Sequence, residues 1–223
     1  MQFTTPEARN TVETVEKKSK FIASLFPILS VSEAEEALAQ IREEHKTANH
    51  NCFAYRVGLG VPVERFSDDG EPSGTAGRPI LEVIRRREID NVLVVVTRYF
   101  GGVLLGASGL VRVYADATSQ VLNATPMLRC GLMHTLEVSC DYGMYGKLEY
   151  ALGQEGMVMI EKQFAEAVSF QLVVAEADVE KRVTQLNEWT NGQANVNVLP
   201  AEYIGVSEDG SLVRGVWPSD GES

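Results

Sequence analysis

Residues 91–124 read NVLVVVTRYFGGVLLGASGLVRVYADATSQVLNA and contain a strand pattern, a glycine-rich loop and a helix pattern in succession. The run Val92–Val96 is continuously apolar, mostly β-branched and bounded by polar residues, which is typical of a strand covered on both faces. After the loop, apolar residues recur at helical spacing: Leu110, Val113, Tyr114, Ala117 and Val121. The stretch therefore predicts a central strand that leads through glycines into an amphipathic helix.

The glycine-rich loop has two interpretations. Glycines at a helix N-terminus let backbone N–H groups approach an anion, and the helix dipole favours negative charge there. The same glycines also permit tight turns and close packing. Arg98 and Arg112 bracket the loop and suit phosphate or carboxylate, although either could pair with an acidic neighbour. The candidate phosphate-binding glycines are Gly101, Gly102, Gly106 and Gly109.

A second polar segment, residues 65–79, is dense in Ser, Asp, Gly and Pro. Its motif is Ser67-Asp68-Asp69-Gly70-Glu71, and these carboxylates could hold a hard cation such as Mg²⁺. The spacing matches no EF-hand loop, and such residues more often form turns in which Asp side chains accept backbone N–H groups. We therefore predict turn chemistry and no metal site. A loop of this length is often functional.

The charge is unevenly distributed along the 223 residues, which carry a formal net charge of −11. Residues 1–125 contain 14 Lys and Arg against 16 Asp and Glu, and the remainder contains 6 against 15. This balance excludes attraction to nucleic acid by overall charge, so RNA contact needs a local basic patch in the first half. The candidates are Lys17, Lys18, Lys20, Arg78, Arg85, Arg86, Arg87, Arg98 and Arg112.

The cysteines, the N-terminus and the lengths of the apolar runs indicate a water-soluble protein whose cysteines are reduced. Cys52, Cys130 and Cys140 form no CxxC pair, which favours small buried residues in a reducing compartment. The N-terminus lacks the basic and apolar regions of a signal peptide, and no apolar run approaches a membrane span. The three histidines are scattered and GxSxG is absent. We expect a cytoplasmic protein with no membrane partner, and we assign no catalytic residue, metal or cofactor.

Outside these two segments, the pattern predicts an α+β protein in two domains. Two extended segments lie between residues 11 and 30, and a capping box at Ser32–Glu35 begins a helix that ends near His45. Residues 51–59 alternate like a strand. Residues 131–204 have the order βαββαβ of a ferredoxin-like domain. Residues 205–223 are acidic and rich in Gly and Ser, and we expect a disordered tail there, with Trp217 standing alone in it.

Two motifs resemble the signature of the IMPACT family. The first comprises RYFGG at residues 98–102, Leu105-Gly106 and GLVR at residues 109–112, and the second runs from FSDDGEP at residues 66–72 to Pro79. The resemblance covers residues from about 12 to about 199. It implies that residues 1–130 form a βαβ-containing domain with the fold of ribonuclease PH, domain four of elongation factor G and the GHMP kinases. It also implies a ferredoxin-like domain at residues 131–204, and eukaryotic members are translational regulators.

Two functional hypotheses follow. In the first, the protein is a translation-linked regulator that binds RNA or the ribosome, with Arg78, Arg98 and Arg112 on phosphates and Tyr99 stacking on a base. Tyr99 could equally be a core residue. In the second, the protein is an enzyme that acts on a small phosphorylated ligand or nucleotide at the same glycines. Residues 105–109 resemble the glycine loop of the GHMP kinases, but the preceding proline and paired serines are absent. Neither hypothesis specifically implies DNA.

Overall fold

The computed structural model describes residues 1–217. These divide into two compact units, each with its own core. The first unit contains residues 2–130 and 205–217, and the second contains residues 131–204 together with Met1. Within the described residues, no helix is both long and apolar enough to cross a membrane.

The first unit is organised around a five-stranded antiparallel sheet with the order β2-β3-β6-β4-β5. The predicted central strand is confirmed, because β6 lies in the middle of this order and its residues 92–98 are all buried. The strands preceding β7 are β1 (Gln2–Pro6), β2 (Asn10–Glu16), β3 (Ser19–Pro27), β4 (His50–Val57), β5 (Val63–Ser67) and β6 (Val92–Tyr99).

Helices cover both faces of this sheet. Val94 and Val96 of β6 pack in the cluster that contains residues of α2 and α3, whereas Leu93 and Val95 pack in the cluster that contains residues of α1. Strands β3 and β4 are both antiparallel to β6 and therefore parallel to each other, so β3, α1 and β4 form a βαβ unit. The helices are α1 (Val31–Glu44), α2 (Gly77–Arg86) and α3 (Ala107–Asn123).

The structure corrects two local predictions in this unit. The capping box lies two residues earlier than predicted: Ser30 Oγ accepts the Glu33 N–H at 3.1 Å, and the Glu33 carboxylate accepts the Leu29 N–H at 2.7 Å. Residues 65–67 belong to β5 rather than to a loop. This strand forms the sheet edge and is partly exposed, so it lacks the apolar alternation that identifies a half-buried strand.

The second unit has the predicted ferredoxin-like order βαββαβ, with strands arranged β10-β7-β9-β8. Strand β8 begins at Ile160, three residues later than the sequence indicated, and its exposed side chains give no apolar signal. The elements are β7 (Met127–Cys140), α4 (Tyr142–Gln154), β8 (Ile160–Phe164), β9 (Val168–Ala175), α5 (Val179–Thr190) and β10 (Asn195–Val198). Residues 127–130 of β7 belong to the first unit.

The C-terminal segment differs from the expected disordered tail. It contains β11 (Glu202–Val206) and β12 (Leu212–Val213), which pair antiparallel. Val216 is buried, and a Cβ at Gly205 would lie 3.1 Å from it. The turn between the strands is rich in polar residues, which concealed the pairing in the sequence. Trp217 belongs to the folded segment, and the remainder of the predicted tail, residues 218–223, lies outside the described residues.

Candidate functional site

A buried ion pair connects the two sequence motifs. Nη1 of Arg98, near the end of β6, donates to Oε1 of Glu71 at 2.6 Å. The side chains are 6% and 3% exposed, respectively. The Arg98 guanidinium also lies 5.4 Å from the centre of the Phe21 ring and 5.5 Å from that of Phe100. The predicted phosphate ligand Arg98 is therefore neutralised from within the protein.

The Glu71 carboxylate is held from a second direction by α3. The Tyr114 hydroxyl donates to Oε1 at 2.8 Å, and Cys52 Sγ lies 3.3 Å from that hydroxyl. Burial raises the pKa of the Tyr114 hydroxyl and raises the pKa of the Cys52 thiol to about 12. All three cysteines are free and buried, so the thiol of Cys52 is a protonated part of the core.

The acidic motif makes the predicted turn contacts. The Asp68 carboxylate accepts the backbone N–H groups of Gly74, Ala76 and Gly77 at 2.8–3.0 Å. Asp69 Oδ2 accepts the Asn51 N–H at 2.6 Å. These bonds fix the segment between β5 and α2, and they place Glu71 beneath the end of β6.

His50, at the start of β4, is oriented by the same segment. Its Nδ1 lies 2.8 Å from the carbonyl oxygen of Asp69, which can only accept a hydrogen bond. Nδ1 therefore carries the proton, and in the neutral ring Nε2 is an acceptor. Nε2 lies 3.9 Å from Oε2 of Glu71, too far for a direct hydrogen bond. Gly70 has a φ of 88°, a conformation that favours glycine, and a Cβ there would only touch the His50 ring at 3.4 Å.

The glycines of the loop after β6 have different structural roles. A Cβ at Gly101 would lie 2.0 Å from the backbone of Lys18, so only glycine fits there. Gly102 and Gly106 have φ values of 82° and 75°. Gly106 precedes α3, and Gly109 lies inside its first turn. Close packing thus explains Gly101, whereas the positive φ values explain Gly102 and Gly106.

A pocket of about 410 Å³ opens where these groups meet. Its polar wall includes His50, Glu71 and Arg98, and its apolar wall includes Phe100 and Leu105. The remaining lining residues are Asn49, Pro72, Leu104, Gly106, Ala107 and Leu110. The structure therefore places Arg98 and Gly106 of the first motif and Glu71 of the second motif around one cavity.

The other predicted contact residues are not in that cavity. Arg112 is 79% exposed and lies 3.8 Å from Asp116. It lines a neighbouring groove of about 320 Å³ together with Lys17, Ser108 and Gly109. Arg78 is exposed on α2. The hydroxyl of Tyr99 lies 3.0 Å from Nδ1 of His45, so this ring is anchored to the end of α1.

Sequence reasoning missed two residues of the site. The scattered histidines give no signal in the sequence for His50, whose contact with Asp69 joins residues 19 positions apart. Phe100 follows Tyr99 directly, and its ring is the more exposed of the two, at 45%. Strand alternation could have indicated that Tyr99 and Phe100 point in different directions, but not which one faces solvent.

Comparisons with known proteins agree with this architecture. Residues 17–122 match the Impact N-terminal domain, and residues 138–193 match a domain of unknown function, DUF1949. The chain is 39% identical over 202 residues to IMPACT family member YvyE of Bacillus subtilis, covering 91% of this chain and 93% of that protein. It is 32% identical to IMPACT family member YigZ of Escherichia coli, covering 84% and 93%.

A solved structure described as a hypothetical protein is similar across nearly the whole chain. It is 30% identical, covers 89% of this chain and 98% of its own, and superimposes with a TM-score of 0.58. The family motifs, the two matched domains and this shared architecture agree with one another. The chain belongs to the IMPACT family.

Proposed function

We propose that this chain is a translation-linked regulator that binds RNA or the ribosome through its first unit. The translational link is supported by membership of the IMPACT family, because the resemblance to that family implies a role in the regulation of translation. The contact with RNA is supported by the exposed cations and the exposed ring that border the glycine loop. We define the basic turn face as Lys17, Lys18, Phe100 and Arg112.

The observation that carries the proposal is the turn between β2 and β3. Glu16 pairs with Ser19, so Lys17 and Lys18 form a two-residue hairpin loop. Their φ values are 43° and 66°. For an L-residue this conformation costs about 1–2 kcal/mol, and glycine or asparagine normally occupies it. Backbone strain of this kind clusters at functional sites.

The turn is held in place by the glycine motif. The backbone of Lys18 lies directly against Gly101, and Ser19 Oγ accepts the Gly101 N–H at 3.1 Å. Lys17 and Arg112 line the same groove, which also contains Glu16, so its formal charge is +1. The groove and the larger pocket share Leu105, so the groove that Lys17 and Arg112 line adjoins the pocket that Phe100 lines.

The face offers both kinds of contact that single-stranded RNA needs. Exposed lysine and arginine side chains can neutralise phosphates, and the exposed Phe100 ring can stack on a base. Arg98 acts indirectly in this arrangement, because its guanidinium lies beneath Phe100 and is paired with Glu71. We therefore assign Arg98 a positioning role, and Lys17, Lys18 and Arg112 the phosphate contacts.

The test is co-sedimentation of the full chain with ribosomes and with structured RNA at low and physiological salt. We expect binding that weakens with salt, and a Lys17→Ala/Arg112→Ala variant that binds more weakly at every salt concentration. The affinity falls as the salt concentration rises, and each lost phosphate contact makes the slope of log affinity against log salt less negative by about 0.7–0.9.

The matched control is Arg86→Ala/Arg87→Ala, which removes the same charge from the other basic cluster, at the end of α2. If this control loses as much affinity as the first variant, RNA is attracted by the positively charged side chains of the unit in general, and the basic turn face is not the binding site. If the unaltered chain binds neither ribosomes nor RNA at low salt, the proposed function is wrong.

A second candidate function is the action of an enzyme on a small phosphorylated ligand or nucleotide. It is supported by the pocket between Glu71 and the first turn of α3, which can surround such a ligand. A melting temperature that rises with nucleotide, followed by turnover of that nucleotide, would favour this function over the first. Binding without turnover would leave only the binding role.

A further inference from the structure

We propose that the pocket between His50, Glu71 and Phe100 binds a ribonucleoside unit by its 2′,3′-diol. This goes beyond the basic turn face, because it identifies an adjoining subsite, which shares only Phe100 with that face, and the chemical group that it recognises. The diol could belong to the 3′ end of an RNA strand or to a free ribonucleotide. If the ligand is the end of an RNA strand, this inference rests on the proposed function. If the ligand is a free nucleotide, it does not.

The pocket floor presents two hydrogen-bond acceptors side by side. Oε1 of Glu71 already accepts from Arg98 and Tyr114, which leaves Oε2 nearest to His50. His50 donates from Nδ1 to the Asp69 carbonyl, so Nε2 of the neutral ring has a free lone pair. The two acceptors are 3.9 Å apart and cannot bond to each other.

Two acceptors at this spacing are complementary to two hydroxyl donors on adjacent carbons. Each hydroxyl of a cis-diol has one proton to donate, so one can bond to Oε2 of Glu71 and the other to Nε2 of His50. A carboxylate hydrogen-bonded to ribose hydroxyls is an established mode of nucleotide recognition. An ionised phosphate oxygen at this position would have no proton to donate to either acceptor.

The acceptors are preorganised. Glu71 is fixed by Arg98 and Tyr114, and its side chain is 3% exposed, so it cannot rotate away without leaving a buried guanidinium unpaired. His50 is 24% exposed at its side chain and is held by Asp69. Binding therefore requires little ordering of the protein, which favours affinity.

The remaining walls suit the rest of a nucleotide. Phe100 lies beside the polar floor and offers a ring face for stacking with a base. Gly106 and Ala107 also line the pocket, at the point where α3 begins without a side-chain cap. Backbone N–H groups of this first turn can therefore donate to the phosphate of the same nucleotide. The volume, about 410 Å³, lies within the usual range for small-molecule sites.

The experiment measures binding of diol and diol-free ligands to the full chain. One arm titrates AMP, 2′-deoxy-AMP and 3′-deoxy-AMP by calorimetry. The other measures anisotropy with a 5′-labelled octaribonucleotide that ends either in a free diol or in a 2′,3′-dideoxynucleotide. We expect the loss of one hydroxyl from AMP, or of both hydroxyls from the end of the oligonucleotide, to weaken binding at least about 10-fold in at least one arm. The arm that shows this effect identifies the source of the diol.

Two variants test the location. His50→Phe keeps a ring but removes the acceptor, and we expect it to lose the discrimination between AMP and its deoxy forms. Ala107→Trp fills the pocket mouth from an exposed position and should abolish diol-dependent binding. Val111→Trp is the matched control, because Val111 is exposed on the same helix and lines neither the pocket nor the groove.

The outcomes separate this inference from the proposed function. Equal affinity for diol and diol-free ligands in both arms overturns the inference, even if RNA binds well to the basic turn face. Diol-dependent binding of AMP without binding of the octaribonucleotide supports the pocket as a site for a free nucleotide and not for an RNA end. Diol-dependent binding that survives both His50→Phe and Ala107→Trp would place the diol elsewhere and overturn the inference as well.

Discussion

Arg98 and Glu71 form a buried ion pair with an Nη1 to Oε1 distance of 2.6 Å, joining the end of β6 to the segment before α2. The residues are 27 positions apart, and each belongs to a different family motif. Each motif therefore supplies the charge that the other needs in order to be buried. Both residues of the pair also line the pocket, so the pair fixes part of its wall.

Breaking this pair should be strongly destabilising. Glu71→Ala leaves the Arg98 guanidinium buried without its carboxylate, and such a loss typically costs about 3–5 kcal/mol of unfolding free energy. Urea denaturation measures it. Arg65→Ala is the control, because its pair with Glu35 is 62% exposed on both sides and should contribute at most about 1 kcal/mol. Equal effects of the two variants would show that the buried pair does not hold the segment.

Gly101→Ala should destabilise the first unit. The new Cβ would lie 2.0 Å from the carbonyl carbon and oxygen of Lys18, so the hairpin or the loop has to move. Overpacking of this kind costs about 1–3 kcal/mol. Thermal unfolding compares it with Gly146→Ala, in α4, where the added Cβ meets nothing within 4 Å beyond its chain neighbours and the backbone of its own helix. That control should gain up to about 1 kcal/mol from helix propensity.

Relieving the strain at the hairpin turn should separate stability from binding. Lys17→Asn/Lys18→Gly installs the residues preferred at two successive positive φ values, and it should stabilise the fold by about 1 kcal/mol or more. The same variant removes two charges from the basic turn face, so its RNA affinity should fall. A Lys18→Gly variant that gains stability and keeps full RNA affinity would show that Lys18 does not contact phosphate.

The raised pKa of the Cys52 thiol predicts that the free energy of unfolding falls at alkaline pH. Burial raises the pKa of its thiol from 9.0 to about 12, so the unfolded chain ionises before the folded protein does. The stabilising contribution is therefore complete below pH 9 and is lost as the pH rises towards 12. Between these limits, Cys52→Ala should reduce the fall in unfolding free energy by about 1.4 kcal/mol per pH unit.

The measurement is urea unfolding of the unaltered chain and of Cys52→Ala at several pH values between 8 and 11. Alkylation provides an independent check, since native Cys52 is fully buried and should react only as fast as the protein opens. Parallel pH profiles for the two proteins, or rapid alkylation of the native thiol, would contradict the buried and protonated state of Cys52.

Much of the fold was predictable because its signals are local. Strand β6 is a short apolar run, α3 places Leu110, Val113 and Tyr114 at helical spacing, and the second unit alternates strands and helices in ferredoxin-like order. Edge strands β5 and β8 were missed or shifted, since their exposed side chains leave no periodic pattern. Strands β11 and β12 were hidden by a polar turn.

The sequence alone determined the family, the two domains, the central strand and the turn chemistry of Asp68, because each depends on neighbouring residues or on ordered motifs. Only the tertiary structure decided which charged groups face solvent. Arg98 is neutralised by Glu71, His50 is oriented by Asp69, and Gly101 packs on Lys18, all through contacts between residues distant in the chain. Such contacts depend on strand pairing and burial, which local patterns do not encode.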